Sequence, residues 1–201
     1  HFDHAAMITT NKDALLDLVR FEKDGSPTPQ PIDMEVIFLE TTTGIINDAR
    51  ELFPMINQAR EEKSADKLTE AMQAIAAVET QIDQVDSTGI GATKRFKTDM
   101  DKLQMWRNKL ETYRKSVIEA IKELTGENPF AEDELMRLAP GITRLTDQFD
   151  AAGGAKEENK ALEDEVLKMA GNCGALLKEV KQLPQFKKAQ PEFFVKLDAL
   201  L

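Results

Sequence analysis

Cysteine occurs once in these 201 residues, at Cys173, and histidine twice, at His1 and His4. A lone cysteine excludes an internal disulfide, a thiolate zinc cluster and a haem-attachment pair. Without histidine beyond position 4, the Glu-x-x-His pairs of a di-iron bundle cannot form, and Cys173 has no imidazole base to make it a nucleophile. His1 and His4, with Asp3 between them, have i, i+3 metal-ligand spacing, but chain ends are usually too loosely held to build a site. No stretch approaches the roughly 18 apolar residues of a membrane span. Nor does the chain open with the charged and apolar regions of a signal peptide. Basic residues number 26 against 36 acidic ones, for a net charge of −10, which argues against nucleic acid as a partner because phosphate binding needs a basic footprint. No catalytic or cofactor motif is present. The sequence therefore predicts a protein that is not an enzyme and carries neither metal nor cofactor.

Aromatic residues make up only 6% of the chain and are mostly phenylalanine. A core drawn mainly from Leu, Ile, Ala and Met suits helix-on-helix packing better than a β-sandwich. Charged residues reach 31%, as in helices that each turn a wide face to water. The expected fold is all-α: an elongated antiparallel bundle of about six helices, forming a single domain over 1–201 with a possible division into 1–126 and 127–201.

Residues 1–24 read as a short opening helix capped by Thr10 or Asn11, and Gly25 to Pro31, with three prolines, reads as a linker. From the N-cap Asp33, Phe38, Ile45, Ala49, Leu52, Ile56 and Ala59 recur at helical spacing. Thr41-Thr42-Thr43-Gly44 is a poor helix interior and 35–46 is β-branched enough for a strand. A helix bent at Pro54 is preferred, because no second strand is available to pair with it. Ser64 opens the next helix, with Leu68, Met72, Ile75, Val78, Ile82 and Val85 on one face. The longest helix spans about 92–125, with Phe96, Met100, Leu103, Trp106, Leu110, Tyr113, Val117, Ile121 and Leu124 as its stripe.

Asn128 and Pro129 then make an N-cap and first turn. The triplet Asn128-Pro129-Phe130 also resembles a short peptide ligand of eukaryotic trafficking modules, a match that three residues make easily by chance. Leu135, Leu138, Ile142, Leu145 and Phe149 keep their rhythm through Pro140-Gly141, which predicts a kinked helix. Leu162, Val166, Met169, Cys173, Leu176, Val180 and Leu183 form the most regular seam. There Gly171 and Gly174 leave room for another helix to approach Cys173, which is read as core. The chain finishes mid-pattern on Phe193, Phe194, Leu197 and Leu200, as if cut from something longer.

The longest helix holds nine basic and five acidic residues, so it is positive within an acidic protein. Arg107 and Arg114 are one heptad apart and can be counted into its seam. The only tryptophan and tyrosine, Trp106 and Tyr113, stand beside them. Two guanidinium groups flanked by aromatics suit a small carboxylate held bidentately. The competing reading shifts the register by one: the aromatics face the core, and the arginines reach along its edge to acids on neighbouring helices.

The function expected is therefore a ligand-sensing domain of a bacterial transmembrane receptor, on the periplasmic side of the inner membrane, taking a small anionic ligand at Arg107, Arg114, Trp106 and Tyr113. In architecture it is similar to the extracytoplasmic helical bundles of chemoreceptors and sensor kinases, with membrane attachment only through flanking segments. The alternative is a cytoplasmic scaffold that self-associates or presents helix faces to partner helices.

Overall fold

The computed structural model describes residues 3–10, 13, 33–89 and 96–181, and all secondary structure among them is helical. The linker at 25–31, the two terminal phenylalanines and Leu183 lie outside these residues. In order, the elements are α1 (Ala5–Thr10), α2 (Asp33–Glu61), α3 (Ala65–Ser87), α4 (Lys97–Thr125), α5 (Ala131–Ala151), a short 3-10 turn (Glu157–Asn159) and α6 (Lys160–Val180). Two compact units divide the chain, His1–Leu124 and Thr125–Leu201.

In the first unit, the segment 35–46 is helix, not strand. The threonines that weaken its propensity are used in place: Thr41 and Thr42 are buried, and the Thr42 hydroxyl donates to the Leu39 carbonyl at 3.1 Å. Burial against neighbouring helices outweighs a propensity deficit of a few tenths of a kcal/mol per residue. Pro54 lies within α2 on its exposed side. A tight turn at Glu62 and Lys63 reverses the chain, and Ser64 caps α3 by accepting from the Lys67 amide at 3.3 Å. In that turn Lys67 at 2.5 Å and Gln58 at 2.8 Å hold the Glu62 carboxyl below its ordinary value. The contribution of Glu62 is thus present above its unfolded-state pKa and fades as pH falls through the lowered one.

All six residues of the α3 stripe are buried. Helix α4 closes the bundle: Phe96 stacks near Phe38, Tyr113 near Phe53, and Arg60 donates to Ser116. These contacts advance together along α2 and α4, so the two helices run parallel. Contacts from α4 to α3 pair rising with falling numbers (Arg107 with Asp86, Arg114 with Glu79), so those two run antiparallel. Of the stripe expected for α4, Tyr113 is half-buried and Leu124 is exposed, while the remainder is buried.

Residues 3–10 pack onto the rest of the first unit. Helix α1 starts at Ala5, and its first turn is held by Asp3, whose carboxylate accepts from the Ala6 amide at 3.1 Å. Thr10 is the last residue of α1, and the helix read from Thr10 or Asn11 through Leu15, Leu18 and Phe21 lies outside the described residues. Ala5 is fully buried, and α1 packs on both α2 and α3. The His4 amide donates to the buried Gln81 side chain at 2.9 Å, and the imidazole lies 3.5 Å from the Asp48 carboxylate. Under that ring sits Gly44, where an added Cβ would lie 2.4 Å from Nδ1. A glycine in a helix interior costs about 0.5–1 kcal/mol relative to alanine, and here it makes the seat for His4. We expect Gly44→Ala to keep α2 helical and release α1. Hydrogen exchange checks this: the His4 and Ala6 amides, which donate to Gln81 and Asp3, should lose protection while those of α2 keep theirs.

The second unit is a helical hairpin. Gly126, with φ of 78°, stops α4 in a backbone region that other residues enter at a cost. Asn128 does not cap α5, which starts three residues later at Ala131. Instead it is buried, accepts from the Phe130 amide at 3.1 Å and donates to Glu179 at 2.7 Å, fastening the start of α5 to the end of α6. Pro140 sits on the exposed side of α5. Asn159 donates to the Ala152 and Gly154 carbonyls at 2.9 and 3.0 Å, organising the turn between the helices.

The hairpin core consists of Ala131, Leu135, Ala139, Ile142, Cys173, Leu177 and Val180. The α6 seam read as most regular is only partly closed: Leu162, Val166, Met169 and Leu176 are half-buried. The physical reason is that α6 packs on one long helix among the described residues, and one neighbour covers a narrow strip. Among the described residues, a Cβ at Gly171 or Gly174 would meet nothing within 4 Å, whereas one at Gly141 would touch Met169 at 3.6 Å.

Cys173 is fully buried, and its burial pushes the thiol pKa above the ordinary value. Both the shielding and the scarcity of thiolate slow its chemistry. Cys173→Ala is expected to cost about 1 kcal/mol, the low end for a small core deletion. The native thiol should react with a bulky reagent far more slowly than in denaturant; rapid native labelling would contradict its place in the core.

Candidate functional site

The residues singled out on the longest helix fall on two flanks of its buried seam. Arg107 and Arg114 lie on the side facing α3, and Trp106 and Tyr113 on the side facing α2. The arginines are already engaged by acids. Arg107 ion-pairs with Asp83 and, at 2.9 Å, with Asp86, to which Gln104 also donates at 2.8 Å. Arg114 is only 6% exposed. It pairs with Glu79 and donates to the Met72 sulfur at 3.5 Å. A low-dielectric setting makes that pair costly to disturb. The structure thus gives both arginines a role in fixing α4 against α3.

Trp106 and Tyr113 meet different cations. The Lys109 ammonium stands 4.2 Å from the Trp106 ring centroid and the Arg50 guanidinium 5.9 Å from it. Both distances lie within cation–π range. Ten residues beyond Arg50 on the same helix, Arg60 donates to Ser116 at 3.0 Å. Between these cations the Phe53 and Tyr113 rings lie 6.1 Å apart, and Phe53 is 54% exposed. Arg50, Lys109 and Arg60 are all exposed, and none forms an ion pair with a carboxylate among the described residues. Neutral Asn47 is the other partner of Arg50, at 3.2 Å.

So the structure separates the expected quartet. It leaves the aromatic pair beside three cations with no carboxylate partner among the described residues, two of them on α2. The missed signal was the stripe Ile46, Arg50, Phe53, Asn57, Arg60, spaced four-three like a seam but polar. Its significance depends on the parallel packing of α2 and α4, which no local pattern encodes. Among the described residues no group of three His, Cys, Asp or Glu side chains is placed to hold a metal ion. No helix among them is long and apolar enough to cross a membrane. Comparison with family models, characterised proteins and solved structures found nothing that matches this chain.

Proposed function

We propose that this chain is a non-enzymatic recognition module whose first unit binds an anionic partner on the α2–α4 face. The observation that carries this reading is the placement of Lys109 and Arg50 over Trp106 without a neutralising carboxylate among the described residues. Cations that a fold does not use internally are the ones available to a ligand, and a net charge of −10 makes such a face unusual on this surface. In its first form the module is the sensing domain of a bacterial transmembrane receptor of the chemoreceptor or sensor-kinase type, exposed to the periplasm and responding to a small carboxylate. A bundle of about six helices, bent at Pro54 and Pro140, belongs to that form. In its second form it is a cytoplasmic scaffold that receives a partner protein. The exposed Phe53 ring favours the second form, because a small anion has no use for it.

A thermal-shift screen of the full chain against amino acids, organic acids and acidic peptides tests the proposal. Any stabilising ligand should lose its effect in Arg50→Ala and Lys109→Ala. Arg107→Ala should lower the starting melting temperature and leave the ligand's shift intact. A response that survives loss of both Arg50 and Lys109 would remove this face from consideration.

A further inference from the structure

Building on the reading that the α2–α4 face binds anions, we infer that its occupant is an acidic amphipathic helix of a partner protein. The spacing of the cations carries this. Arg50 and Arg60 are ten residues apart on one continuous helix, a separation of about 15 Å at 1.5 Å per residue. Lys109 joins Arg50 at one end, over Trp106, and Arg60 is fixed at the other by Ser116. Between the two positive ends lies an apolar band, Phe53 against Tyr113. A single small carboxylate reaches one end and leaves the band exposed. A helix laid along the groove reaches both.

Three helical turns take about 11 residues and 16 Å, so carboxylates at i and i+11 share a face and meet the two ends. Leucine or phenylalanine at i+4 and i+7 then falls on the band. An extended peptide is a poorer occupant, because an all-helical surface offers no strand edge to satisfy its backbone. The groove is the natural seat for a third helix, as ridges of side chains settle between two packed neighbours. Charge supplies the selectivity: a basic or neutral helix gains nothing at either end, and the rest of this acidic protein repels acidic segments from other sites.

Trp106 is the only tryptophan, so its fluorescence in the full-length chain reads the site directly. The probe is an alanine-based helical peptide of about 18 residues with glutamates 11 apart and two leucines between them on the same face. A control peptide of the same composition carries its glutamates on the opposite face. Free glutamate and a single-stranded oligonucleotide complete the set. The matched peptide should bind at least about tenfold more tightly than the control, with affinity falling as salt rises. The triple variant Arg50→Glu/Lys109→Glu/Arg60→Glu, all at exposed positions, should keep the helical fold and a cooperative melt, at a lower temperature for the lost Trp106 and Ser116 contacts, and prefer a lysine version of the peptide. Equal binding of both glutamate peptides, or an unchanged preference in the triple variant, overturns the inference. Tighter binding of the oligonucleotide does so too. If free glutamate alone quenches Trp106 and displaces the peptide at equal concentration, the helix is overturned and the anion-binding face stands. If neither peptide nor glutamate perturbs Trp106, both readings fall.

Discussion

Arg114→Ala should destabilise the first unit by about 3–5 kcal/mol, the range for breaking a buried ion pair from one side. The substitution does more than delete an attraction. It leaves the Glu79 carboxylate, whose side chain is only 18% exposed, without its guanidinium. It also opens a void beside Met72, whose sulfur the guanidinium contacts at 3.5 Å. Denaturant unfolding followed by Trp106 fluorescence measures the effect, and a lower midpoint at unchanged slope marks a loss of stability alone. Arg114→Lys should recover only part of the loss, since a point charge cannot replace the planar fork that reaches both partners. The paired change Arg114→Met with Glu79→Leu should recover most or all of it, because a well-packed apolar pair removes the desolvation cost of both charges. A loss below about 1 kcal/mol in Arg114→Ala would show that solvent reaches the pair and screens it like a surface bridge.

Phe38→Ala should cost about 3–5 kcal/mol, as expected for removing a fully buried aromatic ring. Phe38 is 0% exposed, and its ring centroid lies 4.2 Å from that of Phe96 with the planes tilted by 41°. This pair ties an early turn of α2 to the start of α4, the two ends that must coincide if the helices run parallel. The change should therefore be felt most at the beginning of α2. Hydrogen exchange should show amides near Thr41 and Thr42 losing protection before those around Leu52 and Ile56. Phe38→Leu, which keeps most of the volume, should cost less than half as much. Uniform loss of protection along α2, or a cost near zero for Phe38→Ala, would contradict the parallel seam.

How much of this was readable from residues alone differs by element. Helix α3 was legible from cap to stripe, because Ser64 and its six apolar positions state one periodicity and nothing competes with it. The segment 35–46 is helix against its composition, because a helix needs only its own backbone, whereas a strand needs a partner. For α4, the sequence posed a choice between a seam through Arg107 and Arg114 and one through Trp106 and Tyr113. Trp106 and Arg114 are both buried at this seam, and the arginines reach acids on α3 while the aromatics meet α2. The positive charge of this helix announced that acids would meet it. Which acids, Asp83, Asp86 and Glu79, follows only from the antiparallel register with α3. The cations at Arg50 and Arg60 were illegible for a related reason. A polar stripe on one helix becomes a surface feature only once its neighbour is known, and α2 and α4 are separated in sequence by the whole of α3.

Gly44 has a further consequence for how the docking of α1 can vary. Most contacts weaken by degrees as side chains are trimmed or enlarged, giving a graded series of affinities. At position 44 the imidazole of His4 occupies the very space of a Cβ, so the smallest possible enlargement already blocks the fit. Position 44 is in this sense a keyhole with two settings, glycine or closed, and nineteen residues share the second. Gradual tuning of the α1 attachment can instead act through Gln81, which holds the His4 amide, or through Asp48, which faces its ring. Those two side chains can be shortened, neutralised or replaced stepwise, and the glycine cannot.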